Sequence, residues 1–211
     1  MDLFYSPLAC SMASRISLYE AEAPARFIEV DAKSKRTLDD EDFFEINPLG
    51  LVPVIRTEEG DILTENAAIL QYIADRFPAA DLAPRDGMAR AKLQQWLCFI
   101  GTELHKALFV PLFDPKMPQE VKERTLEKGV SRLAYLDRHL QGREFLLDRF
   151  SVADAYLFTV LNWKIATPVE LEKWPAVLDY YNRLKQRPSI ARALSEERTL
   201  YTAELARHKA A

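Results

Sequence analysis

The sequence predicts an α+β domain of order βαβ–ββα over residues 1–77, a linker at 78–87, and an all-helical domain over 88–211. Three observations predict it. Short strand-like runs, bounded by turn residues, occupy the first third of the chain. A segment with two prolines and two aspartates follows Phe77. Beyond it, apolar residues recur only at helical spacing.

Each element has its own signal. Residues 2–5 (DLFY) read as a strand, and 11–22 as a helix that stops before Pro24. Residues 26–30 (RFIEV) form a second strand, which with the first makes a βαβ unit and requires a parallel pair. The polar stretch 31–42 reads as a loop. Val52 to Ile55 is a third strand, Glu59-Gly60 a turn, and 61–63 a fourth strand. A helix over 65–76 carries Ile69, Tyr72, Ile73 and Phe77 at helical intervals. In the second domain, 88–110 repeats Leu93, Leu97, Ile100, Leu104 and Leu108. Helices are expected at 119–140, 151–164 and 174–187, the last ended by Pro188. Ser151 and Asp154 form a capping box at one helix start. The helix behind it, VADAYLFTVLNW, is apolar nearly all round and is expected to be buried. That motif reads as structural, without chemistry.

Composition narrows the function. Of 211 residues, 48% are hydrophobic and 28% charged, and the net charge is -4 with no basic stripe, which argues against nucleic acid or an anionic membrane as partner. The N-terminus MDLFYSPLAC lacks the basic start and long apolar run of a signal peptide. The longest apolar stretch, near 152–161, is far short of a membrane span. Two cysteines make no disulfide framework, so a reducing cytoplasm is expected.

Four features carry candidate chemistry. Cys10 lies where a helix begins, and free N–H donors with a positive dipole end favour a thiolate there. Ala13 stands where a dithiol oxidoreductase has its second cysteine, so chemistry at Cys10 is monothiol. The competing reading is a buried, inert thiol. Val52-Pro53 starts a strand beside that helix. A cis bond there would turn the Val52 N–H and C=O outward to pair with an extended peptide. A trans proline on an edge strand is the commoner outcome. Thr64 can cap the next helix, which places Glu65 and Asn66 in its first turn. Asn66 would grip a carboxylate and Glu65 an ammonium, as an α-amino-acid head group requires. Acidic residues also favour helix starts without any ligand. Cys98, Thr102 and His105, at spacings of four and three, share one helix face. A Cys98–His105 metal site would need two more ligands, and none stands at suitable spacing. No Ser-His-Asp arrangement, phosphate loop or dinucleotide glycine motif is present.

Five segments together resemble the glutathione transferase family, and within it the bacterial beta class. They are LFYSPLACSMAS, FFEINPLGLVPV, LTENAAILQYIADRFP, QQWLCFIGTELHKALFVPLFDP and FSVADAYLFTVLNW, and the resemblance they carry runs over nearly the whole chain. The resemblance implies a thioredoxin-like first domain and a helical second domain that forms the electrophile site. It implies that Cys10, with Ala9 beside it, meets the glutathione sulfur. It implies that Val52 pairs with the cysteinyl unit before a cis-proline at Pro53, and that Glu65 and Asn66 hold the γ-glutamyl head, where serine is usual in place of Asn66. Lys35 is implied near the glycine carboxylate and His105 beside the electrophile. Glu103 is implied to reach the other subunit's glutathione, hence a homodimer. Cys98 departs from the family pattern, which has asparagine near the sulfur.

The function expected is conjugation of reduced glutathione, as co-substrate, to small hydrophobic electrophiles, with glutathione-dependent thiol–disulfide exchange through Cys10. No metal and no other cofactor is expected. The alternative is a non-catalytic ligand- or glutathione-binding protein on the same fold. For residues beyond Glu196 two readings stand. The tail frays, or Leu200 and Tyr201 fold back over the helical domain and narrow the pocket.

Overall fold

A computed structural model describes residues 1–210. The chain forms two compact units. One joins Met1–Leu82 with the residues from Pro188 onward, and the other is Ala83–Arg187.

The first unit is built on β1 (Asp2–Tyr5), α1 (Met12–Glu20), β2 (Arg26–Glu29), a short α2 (Phe43–Ile46), β3 (Val54–Arg56), β4 (Ile62–Thr64) and α3 (Asn66–Arg76). The sheet order is β2-β1-β3-β4. β1 and β2 are parallel, as the helical crossover demands, while β1–β3 and β3–β4 are antiparallel. Alternation along the strands fills both faces. Leu3, Tyr5 and Ile55 pack with Leu18, Ile69 and Ile73 on one side. Phe4 and Val54 pack with Val30 and Phe43 on the other. α2 follows the 31–42 loop, in a stretch where the sequence predicts no element. Asp42 caps it, accepting the Phe44 N–H at 2.9 Å, and its Phe43 fills the second face.

The last helix differs most from expectation. Pro188 does not end a helix. It begins α8 (Pro188–Ala210), because a ring with fixed φ and no N–H suits a first helical position. Residues 188–210 therefore group with the sheet domain, not with the helical domain expected over 88–211. The tail is not frayed, and Leu200 packs on the Leu3–Tyr5–Ile73 face of the sheet instead of over the helical domain. Tyr201 stays exposed.

The second unit contains α4 (Gly87–Phe113), α5 (Gln119–Leu140), α6 (Val152–Asn162) and α7 (Pro175–Leu184). Over Ile100–Phe109, α4 opens to π turns, bonded five residues apart, as Val110 N–H to His105 O shows. Pro111 follows directly. It has no donor for an α-helical bond, and the wider turns accommodate its ring. By length and a mean hydropathy of 1.2 over its most apolar window, α4 is the one helix among the described residues that meets the criteria for crossing a membrane. It buries Leu93, Trp96, Leu97, Leu104 and Leu108, the pattern of a core helix. α4 and α5 approach closely at Gly129, where a Cβ would lie 2.6 Å from Leu108 Cδ1.

α6 is buried along its whole length, as its composition implies. Its capping box is formed, with Ser151 N–H donating to Asp154 Oδ2 at 2.9 Å. The carboxylate does more than cap. It also accepts Leu146 N–H at 2.9 Å and Tyr180 O–H at 2.8 Å, tying a loop and α7 to the helix start. Full burial pushes its pKa up against those three donors and a fourth, Ser151 Oγ–H at 2.8 Å.

Candidate functional site

Between β1 and α1 the chain makes an irregular turn that presents Cys10. Ser6 Oγ donates to Val30 O at 2.6 Å, and Ser11 Oγ donates to Ser6 O at 3.2 Å, so both ends of the turn are pinned. Leu8 takes a left-handed φ of 60°, rare for a leucine. Ala9 N–H then bonds Ser6 O at 3.1 Å, and Ala9 O accepts Met12 N–H at 3.1 Å, so Ala9 acts through its main chain. Cys10 follows half-buried, one residue before the helix cap Ser11. Its Sγ donates to Val52 O at 3.3 Å. The Val52-Pro53 bond is cis, so the less common of the two isomers expected from the sequence is the one formed. Pro53 is buried and Val52 half-buried beside the thiol.

Glu65 and Asn66 stand next to this turn. Asn66 Nδ2 donates to Cys10 O at 3.1 Å, and its Oδ1 is buried without a partner. The side chain thus offers an acceptor, suited to an ammonium, and not the carboxylate donor expected. Its first-turn position still aligns main-chain N–H groups for an anion. Thr64 is not the cap. It ends β4, and Glu65 takes the cap position with φ 68° and ψ 121°, its side chain exposed. Such a backbone is strained for a glutamate, and strain of this kind gathers at ligand sites. Lys35 is also left-handed, φ 56°, half-buried at the end of a tight turn in which its N–H bonds Asp31 O.

The helical candidates divide. Cys98 and Thr102 are exposed and linked, Thr102 Oγ1 donating to Cys98 O at 3.0 Å. His105 is 8% exposed and turned inward. The three do not share one environment, because π turns begin at Ile100 and shift the phase assumed from a spacing of three and four. His105 Nδ1 lies 2.7 Å from Tyr156 Oη, with the Trp163 ring at 4.9 Å. Desolvation, then the charge of Lys106, lowers its pKa to about 4, so the ring is neutral at pH 7. Glu103 is held within the chain, one carboxylate oxygen 2.8 Å from both Nε and Nη2 of Arg132.

Motif and spacing do not single out Ser6, Ser11, Leu8 or Tyr156. Serines five apart around Cys10 are the only signal for the first two. Asp31, Glu204 and His208 also bring ligand-type atoms within 4.8 Å of one another. Their hydrogen bonds account for the grouping: His208 Nε2 to Asp31 Oδ2 at 2.5 Å, and Ala32 N–H to Glu204 at 3.1 Å.

Both parts of the chain are similar to known proteins. Residues 9–76 match the N-terminal domain of glutathione S-transferases, and residues 102–197 match their C-terminal domain. The chain is 41% identical to the glutathione S-transferase GstA of Escherichia coli O157:H7, over 93% of this chain and 98% of that one. It superimposes on a sphingomonad glutathione S-transferase in complex with glutathione, with a TM-score of 0.89 and 43% identity over 93% of this chain and 98% of the other. A beta-class enzyme of Sphingomonas chungbukensis gives a TM-score of 0.89 at 42% identity, again over 93% and 98%. The thioredoxin-like domain, the helical domain and the transferase activity are thus shared with these proteins. The chain belongs to the glutathione S-transferase family, with the bacterial beta class.

Proposed function

We propose that the protein conjugates reduced glutathione to small hydrophobic electrophiles and also exchanges disulfides with glutathione through Cys10. The observation that carries this reading is the Cys10 thiol held 3.3 Å from the main chain of Val52, directly before the cis peptide at Pro53. Val52 offers main-chain groups to the cysteinyl unit of glutathione. Glu65 and the Asn66 Oδ1 take the ammonium of the γ-glutamyl head, the first-turn N–H groups of α3 take its carboxylate, and Lys35 takes the glycine carboxylate. Ala9 keeps its main-chain bonds in the turn. In conjugation the glutathione thiol gives up its proton to water, the thiolate sulfur bonds to the electrophilic carbon, and the bond from that carbon to the leaving group breaks, its electron pair departing with the leaving group. Cys98 and Thr102 offer the electrophile a thiol and a hydroxyl from the exposed side of α4, and neutral His105, turned inward, acts on it through its uncharged ring and Tyr156. In exchange the Cys10 thiolate attacks oxidised glutathione. One S–S bond breaks, a Cys10–glutathione disulfide forms, and the second glutathione leaves as a thiolate that takes a proton.

The protein acts in a reducing cytoplasm as a homodimer, with Glu103 directed to the partner's glutathione. It uses no metal and no cofactor beyond this co-substrate, and meets neither nucleic acid nor membrane. Intact mass after incubation with oxidised glutathione, beside a conjugation assay with a model electrophile, tests the reading. A gain of one glutathionyl unit together with turnover is expected. Saturable glutathione binding with neither would establish the binding-protein alternative.

A further inference from the structure

α8 buries Ile190, Ala193 and Leu194 and packs Leu200 on the sheet, and it also meets the sheet domain through charged and polar side chains. Ser189 reaches Glu20, Glu196 reaches Arg15 and Tyr19, and Arg207 pairs with Glu29. Two of its residues stand apart. Glu197 is 0% exposed and Glu204 is 4% exposed. They are seven residues apart, two helical turns, and so lie on one face about 10 Å apart along the axis.

Each spends its carboxylate on a main-chain N–H of a loop. Glu197 Oε2 accepts Leu8 N–H at 2.7 Å, in the turn that follows β1. Glu204 Oε1 accepts Ala32 N–H at 3.1 Å, in the turn that follows β2. β1 and β2 are adjacent parallel strands, so one helix face reaches the outgoing ends of both. The first turn presents Cys10 and the second presents Lys35. Both turns contain a left-handed residue, Leu8 at φ 60° and Lys35 at φ 56°, a conformation side chains hold only when their surroundings fix it.

The clamp is backed from behind. Glu197 Oε1 lies 2.9 Å from Arg15 Nε, an ion pair not aligned as a hydrogen bond. The Arg15 guanidinium is itself set against the rings of Tyr5 and Phe27 at 4.2 and 4.3 Å. At the other end His208 bonds Asp31, whose Oδ1 accepts the N–H groups of Lys33 and Ser34 at 3.0 and 2.8 Å. Burying a carboxylate is unfavourable, and a loop N–H left in water needs no such partner. Glu197 thus answers both the buried Arg15 and a loop N–H, and the two loop N–H bonds, which water could otherwise satisfy, serve geometry.

We propose that Glu197 and Glu204 are positioning residues for glutathione: Glu197 sets the Leu8–Cys10 turn and the direction of the thiol, and Glu204 sets the turn that carries Lys35. Neither touches the ligand. The inference rests on the reading of Cys10 and Lys35 as glutathione contacts.

The test uses the full chain with Glu197→Ala, Glu197→Gln, Glu204→Ala and Glu204→Gln. The readouts are the pH profile of Cys10 alkylation by iodoacetamide, mapped by peptide, and kcat and KM for glutathione with a model electrophile. E197A is expected to shift the Cys10 profile and lower kcat roughly tenfold with KM nearly unchanged, the effect of one lost charge-assisted hydrogen bond. E204A is expected to raise KM roughly fivefold while kcat and the Cys10 profile hold. The glutamine variants keep an acceptor oxygen and should restore most of each loss. Should E197A fail to fold, with Arg15 left buried and unpaired, the E204A and E204Q pair decides. KM raised by alanine and restored by glutamine supports the clamp. Folded variants with wild-type kinetics and thiol profile, or losses that glutamine does not restore, overturn it. Cys10→Ser and Lys35→Ala run alongside. If these two are silent, the glutathione reading itself has failed. If they act and the glutamate variants do not, only the clamp has.

Discussion

The two units carry their candidate residues on opposite kinds of backbone. In the first, Cys10, Lys35, Val52 and Glu65 all stand on irregular chain: a pinned turn, left-handed residues and a cis peptide. In the second, Cys98, Thr102, Glu103 and His105 stand on one continuous helix. Irregular chain exposes its own N–H and C=O groups, which is what a peptide-like ligand pairs with. A helix hides its main chain in internal bonds and offers side chains alone. On the proposed reading, glutathione recognition rests on main-chain geometry, and electrophile choice on single side chains that change without disturbing the backbone. Cys98, where the family resemblance implies an asparagine, is such a position.

The largest expected effect separates the two cysteines. After incubation with oxidised glutathione, Cys10→Ser should gain no glutathionyl mass, while Cys98→Ser should gain it as the native protein does. Labelling that persists in Cys10→Ser would move the reactive thiol from the turn to the helix and undo the comparison.

Asp154→Ala probes the helical scaffold. It strips partners from Ser151 N–H, Leu146 N–H and Tyr180 O–H in a fully buried site, a loss of roughly 3–5 kcal/mol. Denaturant melts should show it, and any folded fraction should keep its glutathione affinity. A variant as stable as the native chain would mean the capping box adds nothing.

His105 gives a pH signature. Its folded pKa, about 4, lies below the free value of 6.5, so the unfolded chain takes the proton first. The stabilisation from burying a neutral ring is full above pH 6.5 and fades as pH falls toward 4, by on the order of 3 kcal/mol in all. Glu197 slopes the opposite way, since burial pushes its pKa up, but it is common to both proteins and cancels in the difference. His105→Gln should therefore lose less stability than the native chain between pH 6.5 and 4. Parallel melting curves would show that the ring is not buried neutral.

Glu65→Ala should weaken glutathione binding roughly fiftyfold to hundredfold, on the order of 2–3 kcal/mol, by leaving the ligand's ammonium unpaired. Stability should hold, the mirror of Asp154→Ala. Calorimetry that finds affinity unchanged would take the head group away from α3.

Part of this fold is legible in the residue pattern alone. β1 at residues 2–5 and α5 at 119–140 coincide with their expected bounds, and the capping box forms as its two residues imply. These features are written in short-range terms: alternation, helical spacing, a serine and an aspartate three apart. The same pattern puts Cys10 at the start of α1 and excludes a second thiol at Ala13. What it leaves open are outcomes set by distant partners. α2 forms because Phe43 has a sheet face to fill. The π turns of α4 part His105 from Cys98 and Thr102, although the spacing alone puts them on one face. Pro188 reads equally as an end or a beginning, and α8 buries Ile190, Ala193 and Leu194 in its first turns but carries mostly polar residues beyond them, so its pattern does not announce its destination. Its place on the sheet domain is chosen by Leu200 and by carboxylates that find Leu8 N–H, Arg15 and Ala32 N–H, between 172 and 189 residues away in the chain. Local pattern determines which elements form and where the thiol stands. Only the packed tertiary structure decides which polar groups meet, because each such bond is made against water and holds only where burial removes the competitor.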